Sequence, residues 1–405
     1  MQTRAEVQHP ATETSAAAKY GRLEPLTGLR GVAACSVLIA HAFETSFNYG
    51  AGSVFHPFAS RLAYFGMSLF FVLSGFVIEY NYADSFAIGR LPAAAYRFFV
   101  ARFARLYPLY VVSVVCSLTQ IPHPHFTPLV TLAYLTLTQS WFNLEMATFA
   151  PDWSISAEWF FYFAFIPLTI ALGGLRRPTA ALFIFCVAAT IGLIVVFHLW
   201  RAPLTEFVHH WFWHGSDVSA DGWGWLDYFC PYLRLLEFIS GVLAAKVYRM
   251  SESGGPAPIS ARLVIFLGVG WCCAVIIVGR MTANPILENI LPMFIFAPVL
   301  APLMLCLCRY ESGLSRLLAS RPAVFLGEIS YSIYIWSFFV LTMTTSFYVS
   351  AGASTIAYAN SAVKILVIVG LTIVFAYGSY ALIEVPSRRK IREILGGGRL
   401  KATAA

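Results

Sequence analysis

The sequence predicts an all-α, polytopic membrane protein. Hydrophobic residues make up 59% of the 405 and charged residues only 12%, against about 25% charged in an ordinary soluble domain. A soluble globule so poor in charge has too little polar surface to cover itself. The apolar residues gather in runs close to the roughly 20 that cross a bilayer as a helix. Lys and Arg fall in the gaps between these runs, so the formal net charge of +7 follows from the excess of cations on cytoplasmic loops. An aromatic content of 16% excludes disorder. The scattered cations form no single basic face, so nucleic acid is not an expected partner and the lipid bilayer is.

Eleven stretches qualify as candidate helices: 28–47, 62–82, 106–121, 127–145, 153–172, 179–199, 225–247, 263–281, 288–308, 323–348 and 361–383. The N-terminal arm carries Arg4, Lys19 and Arg22, and the tail carries Arg388, Arg389, Lys390 and Arg392, so both termini are expected in the cytoplasm. Gap 83–105 (Arg90, Arg97, Arg102, Arg105), gap 173–178 (Arg176, Arg177), gap 248–262 and gap 309–322 are expected inside. Gaps 48–61, 200–224 and 349–360 hold only Arg61 and Arg201 and are expected outside. Two cytoplasmic ends need an even number of crossings, and the loop charges fit if 106–150 crosses once. The segment near 127–145 is then re-entrant or interfacial. It is also the most polar candidate, with Thr136, Thr138, Gln139, Ser140 and Asn143. Irregular backbone at membrane depth is tolerated where it is buried in protein or lines a wet cavity. About ten crossings result.

The organisation that follows is a flexible cytoplasmic arm over 1–21, a membrane domain over 22–392 and a flexible tail over 393–405. Residues 1–27 are polar and mixed in charge, with no short apolar core before a small-residue cleavage site, so no removable signal peptide is expected. The eight cysteines form no CxxC pair and read as small buried apolar side chains. His209, His210 and His214 lack any metal-ligand spacing, so no metal site is expected. Their loop reads either as an aromatic belt or as an outer lid.

Ionisable residues inside spans are costly unless paired or wet, and mark functional sites. Arg30 and His41 lie eleven residues apart, about 20° past three full turns and about 16 Å along one helix face. Glu44 follows on the same face, where a carboxylate orients an imidazole and selects its tautomer. Arg102 and Arg105, at i and i+3, form a bidentate anion site suited to phosphate. In PDWSISAEWFFYF, Asp152 and Ser154 read as helix caps. Glu158 lies deeper and is expected to pair with a His or Arg on another helix. Glu328, Tyr331, Ser332 and Tyr334 form a polar stripe in FLGEISYSIYIWS, with helix–helix hydrogen bonding as the plainer reading. Glu384 reads as a counter-charge to the basic tail.

These motifs, taken in order, resemble the acyltransferase-3 family over about 21–392. The resemblance rests on LTGLRGVAACSVLIAHAF with Arg30 and His41, FGMSLFFVLSGFVI, the Arg102/Arg105 pair, WSISAEWFFY, FLGEISYSIYIWS and the closing Glu384. Each is weak alone, and six in the right order are strong. The resemblance implies a ten-helix membrane core that transfers an acyl group, commonly acetyl, from cytosolic acyl-CoA to a hydroxyl. The acceptor is a sugar of an exopolysaccharide, a lipopolysaccharide or a similar carbohydrate, and the location is the cell (inner) membrane. The chain departs from many members in having Ser337, not His, after Trp336, and no fused extracytoplasmic hydrolase-like domain is expected.

The expected chemistry has His41 as general base, oriented by Glu44 or Glu158, with Arg30, Arg102 and Arg105 holding acyl-CoA phosphates. Trp153, Ser156 and Tyr331 are expected on the acceptor side. Acyl-CoA, acetyl-CoA above all, serves as co-substrate, and no tightly bound cofactor or metal is required. The competing reading is a glycan transporter or flippase with no acyl-transfer chemistry. Transporters often show two matching halves with helices broken by Gly and Pro, and no such symmetry is visible in this sequence.

Overall fold

The computed structural model describes residues 23–46, 56–86, 91–118, 127–142, 152–200, 225–250, 256–278, 285–350 and 358–395, with 203, 206, 207 and 210. These residues are almost wholly helical and contain no strand, apart from an isolated bridge between Pro256 and Glu311. In chain order the helices are α1 Glu24–Ser46, α2 His56–Tyr82, α3 Leu91–Leu118, α4 Pro128–Thr136, α5 Asp152–Ala171, α6 Pro178–Leu199 and α7 Pro231–Arg249. They continue with α8 Ile259–Ile277, α9 Pro285–Arg309, α10 Gly313–Leu318, α11 Arg321–Glu328, α12 Ser330–Ser350, α13 Tyr358–Ser379 and α14 Val385–Leu395.

Six of these helical segments are long and apolar enough to cross a bilayer: Glu24–Ser46, Phe58–Phe86, Leu91–Cys116, Asp152–Ala171, Ile259–Ile277 and Ala362–Leu395. Helices α11 and α12 make a seventh if the pair, bent by 66° at Ile329, is counted as one span. The sequence stretch 323–348 is therefore broken, not continuous. Helix α7 fails the same test because Arg234, Glu237, Lys246 and Arg249 all fall within it.

The structure changes two further readings. The arginine-bearing gap before 106 is helical, and α3 begins at Leu91. Ala93, Ala94, Ala95 and the arginines are all good helix formers, so charge did not end the helix there. Arg61, assigned to an external gap, is buried within α2. Helix α4 has nine residues, about 14 Å of rise, too short to cross a membrane. Thr127 caps it, accepting from the Val130 amide at 3.2 Å, and Leu137 closes it in the left-handed region at φ 58°.

Helix α2 sits at the centre, packed on α1, α7, α8 and α9. Its crossing with α7 is as close as backbones allow. A Cβ on Gly241 would lie 2.0 Å from the Val72 carbonyl oxygen, and one on Gly75 would lie 2.0 Å from that of Phe238. Small residues at such crossings let helices approach without a hydrophobic driving force. Two buried clusters flank α2. One, rich in aromatic rings (Phe71, Phe98, Phe161, Phe165, Phe238), joins α2, α3, α5 and α7. The other, mostly aliphatic, joins α1, α2, α7, α8 and α9.

Candidate active site

Five helices, α1, α2, α3, α5 and α12, line a cavity of about 80 Å³. Its depth follows from helix register. A Cβ on Gly66 would sit 2.7 Å from Val37 Cγ2 and 2.8 Å from the Ala33 carbonyl oxygen, so that part of α2 is level with 33–37 of α1. The α2 residues lining the cavity run from Met67 to Ile78, eleven residues or about 16 Å of rise.

One end of the cavity is cationic. Arg30 from α1 and Arg102 and Arg105 from α3 line it, with Glu158 the only acidic residue among the described lining. Arg102 is buried, and its guanidinium lies 4.9 Å from the centre of the Tyr82 ring and donates to the Tyr82 hydroxyl at 2.8 Å. Its Nε is buried without a hydrogen-bond partner among the described residues. Three guanidiniums against one carboxylate leave a surplus of positive charge, the electrostatic setting for an anion.

Glu158 does not pair with a His or an Arg as expected. Its Oε1 accepts from Ser74 at 3.1 Å and from Tyr162 at 2.6 Å. Hydroxyl donors satisfy the carboxylate, while Arg102 is held by Tyr82 on the neighbouring helix. Tyr331 lines the same cavity and donates to the Leu106 carbonyl at 2.7 Å.

The opposite end is apolar and closed. Met67, Phe70, Phe71 and Ile155 face Tyr334 and Ser154. The Ser154 hydroxyl donates to the Tyr334 hydroxyl at 2.7 Å, and the Phe70 and Tyr334 rings meet edge to face at 5.9 Å.

His41 is not in the cavity wall. It stands one helical turn beyond Val37, on the face of α1 that carries Arg30. Its Nδ1 is 3.4 Å from Glu44 Oε2. Helical side chains lean toward the N-terminus of their helix, so the imidazole leans back toward the turn that carries Val37. Glu44, not Glu158, is the carboxylate beside it.

The remaining expected residues have other surroundings. Trp153 is buried behind Phe71, with ring centres at 6.0 Å, and meets the Tyr228 ring at a tilt, 4.9 Å between centres. Ser156 is buried between α4 and α5, accepting from the Ser140 amide and hydroxyl and donating to the Leu137 carbonyl at 2.9 Å. It pins the left-handed turn after α4 to the helix that carries Glu158. Glu384 is buried, accepts from Ser332 at 3.0 Å and pairs with Arg388. Glu328 is exposed at the α11–α12 bend and outside the cavity. His209 and His214 lie outside the described residues, and His210 is exposed. Among the described residues no group of three His, Cys, Asp or Glu side chains is placed to hold a metal.

Sequence reasoning passed over several buried charges. Arg234 donates through Nη1 to both oxygens of Glu237 at 3.3 Å, and Ser68 donates to Glu237 at 2.5 Å. Glu79, at the end of α2, takes Lys246 at 2.8 Å and Thr169 at 3.2 Å. Lys364 of α13 donates to the Thr45 carbonyl at the end of α1, at 3.0 Å. The i, i+3 pair Arg234 and Glu237 inside the apolar stretch 225–247 was the available signal.

Comparison with known proteins identifies the family. The family model described as an acyltransferase domain matches residues 24–382. The acyltransferase MdmB of Streptomyces mycarofaciens is 27% identical over 342 residues, 79% of each chain. A Staphylococcus aureus (strain COL) protein provisionally named an O-acetyltransferase is 24% identical over 412 aligned residues, 93% of this chain and 60% of its own length. YrhL of Bacillus subtilis (strain 168), provisionally named a peptidoglycan O-acetyltransferase, is 25% identical over 79% of this chain and 49% of its own length. This chain thus spans only part of the staphylococcal and Bacillus relatives. No solved structure matches it. With the family model covering nearly the whole described chain, the protein belongs to the acyltransferase-3 family and is a membrane-embedded acyltransferase.

Proposed function

We propose that this acyltransferase moves an acyl group, acetyl in the first instance, from cytosolic acyl-CoA to a hydroxyl of a cell-surface or exported carbohydrate. The convergence of Arg30, Arg102 and Arg105 on one cavity carries the reading. Guanidinium forks match phosphate oxygens, and the lining of α2 from Met67 to Ile78 rises about 16 Å, a span suited to an extended arm. The carbohydrate acceptor is supported by the name of the Bacillus subtilis relative, a peptidoglycan O-acetyltransferase. The proposed setting is the cell membrane, with about ten crossings and both termini cytoplasmic, as the loop charges suggest.

In this reading the donor phosphates lie against the three arginines and the thioester points toward the apolar end. The acceptor hydroxyl comes from the His41 side. His41 takes its proton through Nε2, and Glu44 holds Nδ1. The acceptor oxygen forms a bond to the thioester carbonyl carbon, the carbon–sulfur bond breaks, and the imidazolium returns its proton to the leaving thiolate. The products are the O-acyl carbohydrate and free coenzyme A thiol. General-base help of this kind contributes about 10²–10⁴ in rate.

The test uses membranes bearing wild type or His41→Ala at equal protein level, with labelled acetyl-CoA and the producing cell's own carbohydrates. Label on carbohydrate is expected with wild type and to fall by at least about 10² in His41→Ala. Equal label in both removes His41 as the base. No label from acetyl-CoA, succinyl-CoA or a longer acyl-CoA removes the donor.

A further inference from the structure

We infer that Met67 sets the length of acyl chain this enzyme accepts. The inference rests on the donor reading above and concerns a residue that reading does not use.

The cavity has two ends of different chemistry. The arginine end takes the phosphates, so the acyl group is directed to the other. There Met67, Phe71 and Ile155 are each no more than 3% exposed, and the Ser154–Tyr334 hydrogen bond closes the wall beside them. An acyl tail therefore meets packed apolar side chains and not solvent. The ring of Phe71 is fixed between Trp153 and Phe161, at 6.0 and 5.2 Å. Ile155 is β-branched and stiff. Met67 is the adaptable member, with three rotatable bonds and no hydrogen bond to keep. Its backbone is level with 33–37 of α1, directly below the turn that carries His41. The side chain thus stands where the first carbons beyond the thioester carbonyl would lie.

Truncation of Met67 to alanine removes Cγ, Sδ and Cε, room enough for the extra carbons of a butyryl chain. An apolar site distinguishes one methylene by about 10–200-fold. The experiment measures kcat/KM for acetyl-CoA and butyryl-CoA in membranes bearing wild type, Met67→Ala, Met67→Leu and Ile155→Ala. Wild type is expected to favour acetyl-CoA. Met67→Ala is expected to raise the butyryl-to-acetyl ratio by about tenfold or more, and Met67→Leu to stay near wild type. If Met67→Ala fails to accumulate, Ile155→Ala, which truncates the α5 side chain at the same apolar end, is expected to shift the ratio in the same direction. Acetyl transfer by all variants with an unchanged ratio overturns the role of Met67 and leaves the donor reading standing. Absence of transfer in wild type from acetyl-CoA, butyryl-CoA, succinyl-CoA and longer acyl-CoAs alike overturns both.

Discussion

Replacing Arg102 by lysine asks whether the cavity reads a planar cation or merely a positive charge. Lysine keeps the charge but lacks the fork whose Nη2 reaches Tyr82 at 2.8 Å and whose Nε is buried without a hydrogen-bond partner among the described residues. It also loses the stack over the Tyr82 ring at 4.9 Å. One charge-assisted hydrogen bond contributes about 1.5–3 kcal/mol, or about 10- to 150-fold in affinity. Because phosphate is held alike in the ground and transition states, the loss should appear in KM and not in kcat. The assay is label transfer from acetyl-CoA across a concentration series in membranes matched by blot. Tyr82→Phe removes the same internal bond but keeps the guanidinium, which separates folding from binding. A KM in Arg102→Lys indistinguishable from wild type, or a fall in kcat alone, refutes the placement of donor phosphates at this residue.

Three further outcomes follow. Glu44→Gln should slow transfer by no more than about fivefold, because its contact with His41 is 33% and 41% exposed on the two sides and such pairs contribute about 0.2–1 kcal/mol; a loss as large as that of His41→Ala would give Glu44 a direct chemical role. Glu237→Gln leaves Arg234 buried beside a neutral partner, a change that costs about 3–5 kcal/mol. It should lower the amount of protein in membranes, and the double variant Arg234→Met, Glu237→Leu should recover part of it on a blot. Gly241→Ala drives a methyl into the Val72 carbonyl, an overpacking that costs about 1–3 kcal/mol. It should lower the melting temperature in detergent, and an unchanged melt would mean the α2–α7 crossing is looser than described.

Helix content was legible because runs of apolar residues near 20 long have few other fates. The bend at Ile329 was not legible: Gly327 and Glu328 precede it and Ser330 follows it, and none of these is a proline that forces a break. Arg30, Arg102 and Arg105 were legible as charges at helix starts. Their meeting at one cavity was not, because it depends on how α1 packs with α3 across α2, α5 and α12. The same limit hid the partner of Glu158. Spacing along α5 shows that its carboxylate is deep, but Ser74, 84 residues away, answers it only in three dimensions. Arg61, Arg234 and Glu237 were missed for a simpler reason. Loop-charge counting treats arginine as a sign of water, whereas Arg61 is buried within α2 and Arg234 lies 4.8 Å over the Tyr228 ring and pairs with Glu237.

The glycine contacts between α2 and α7 have a mechanical consequence. Two backbones touching at Val72 and Phe238 have no side-chain cushion to compress, so the α2 wall of the cavity is stiff. Helix α12, which supplies Tyr331 and Tyr334 to the facing wall, is set off by a 66° break from α11. The facing wall is held in another way, by side-chain hydrogen bonds from Tyr331 to the Leu106 carbonyl and from Ser154 to Tyr334. One wall of the chamber is thus fixed by backbone contact and the other by hydroxyl contacts, so substitutions on α12 can loosen the chamber where those on α2 would first disrupt its packing.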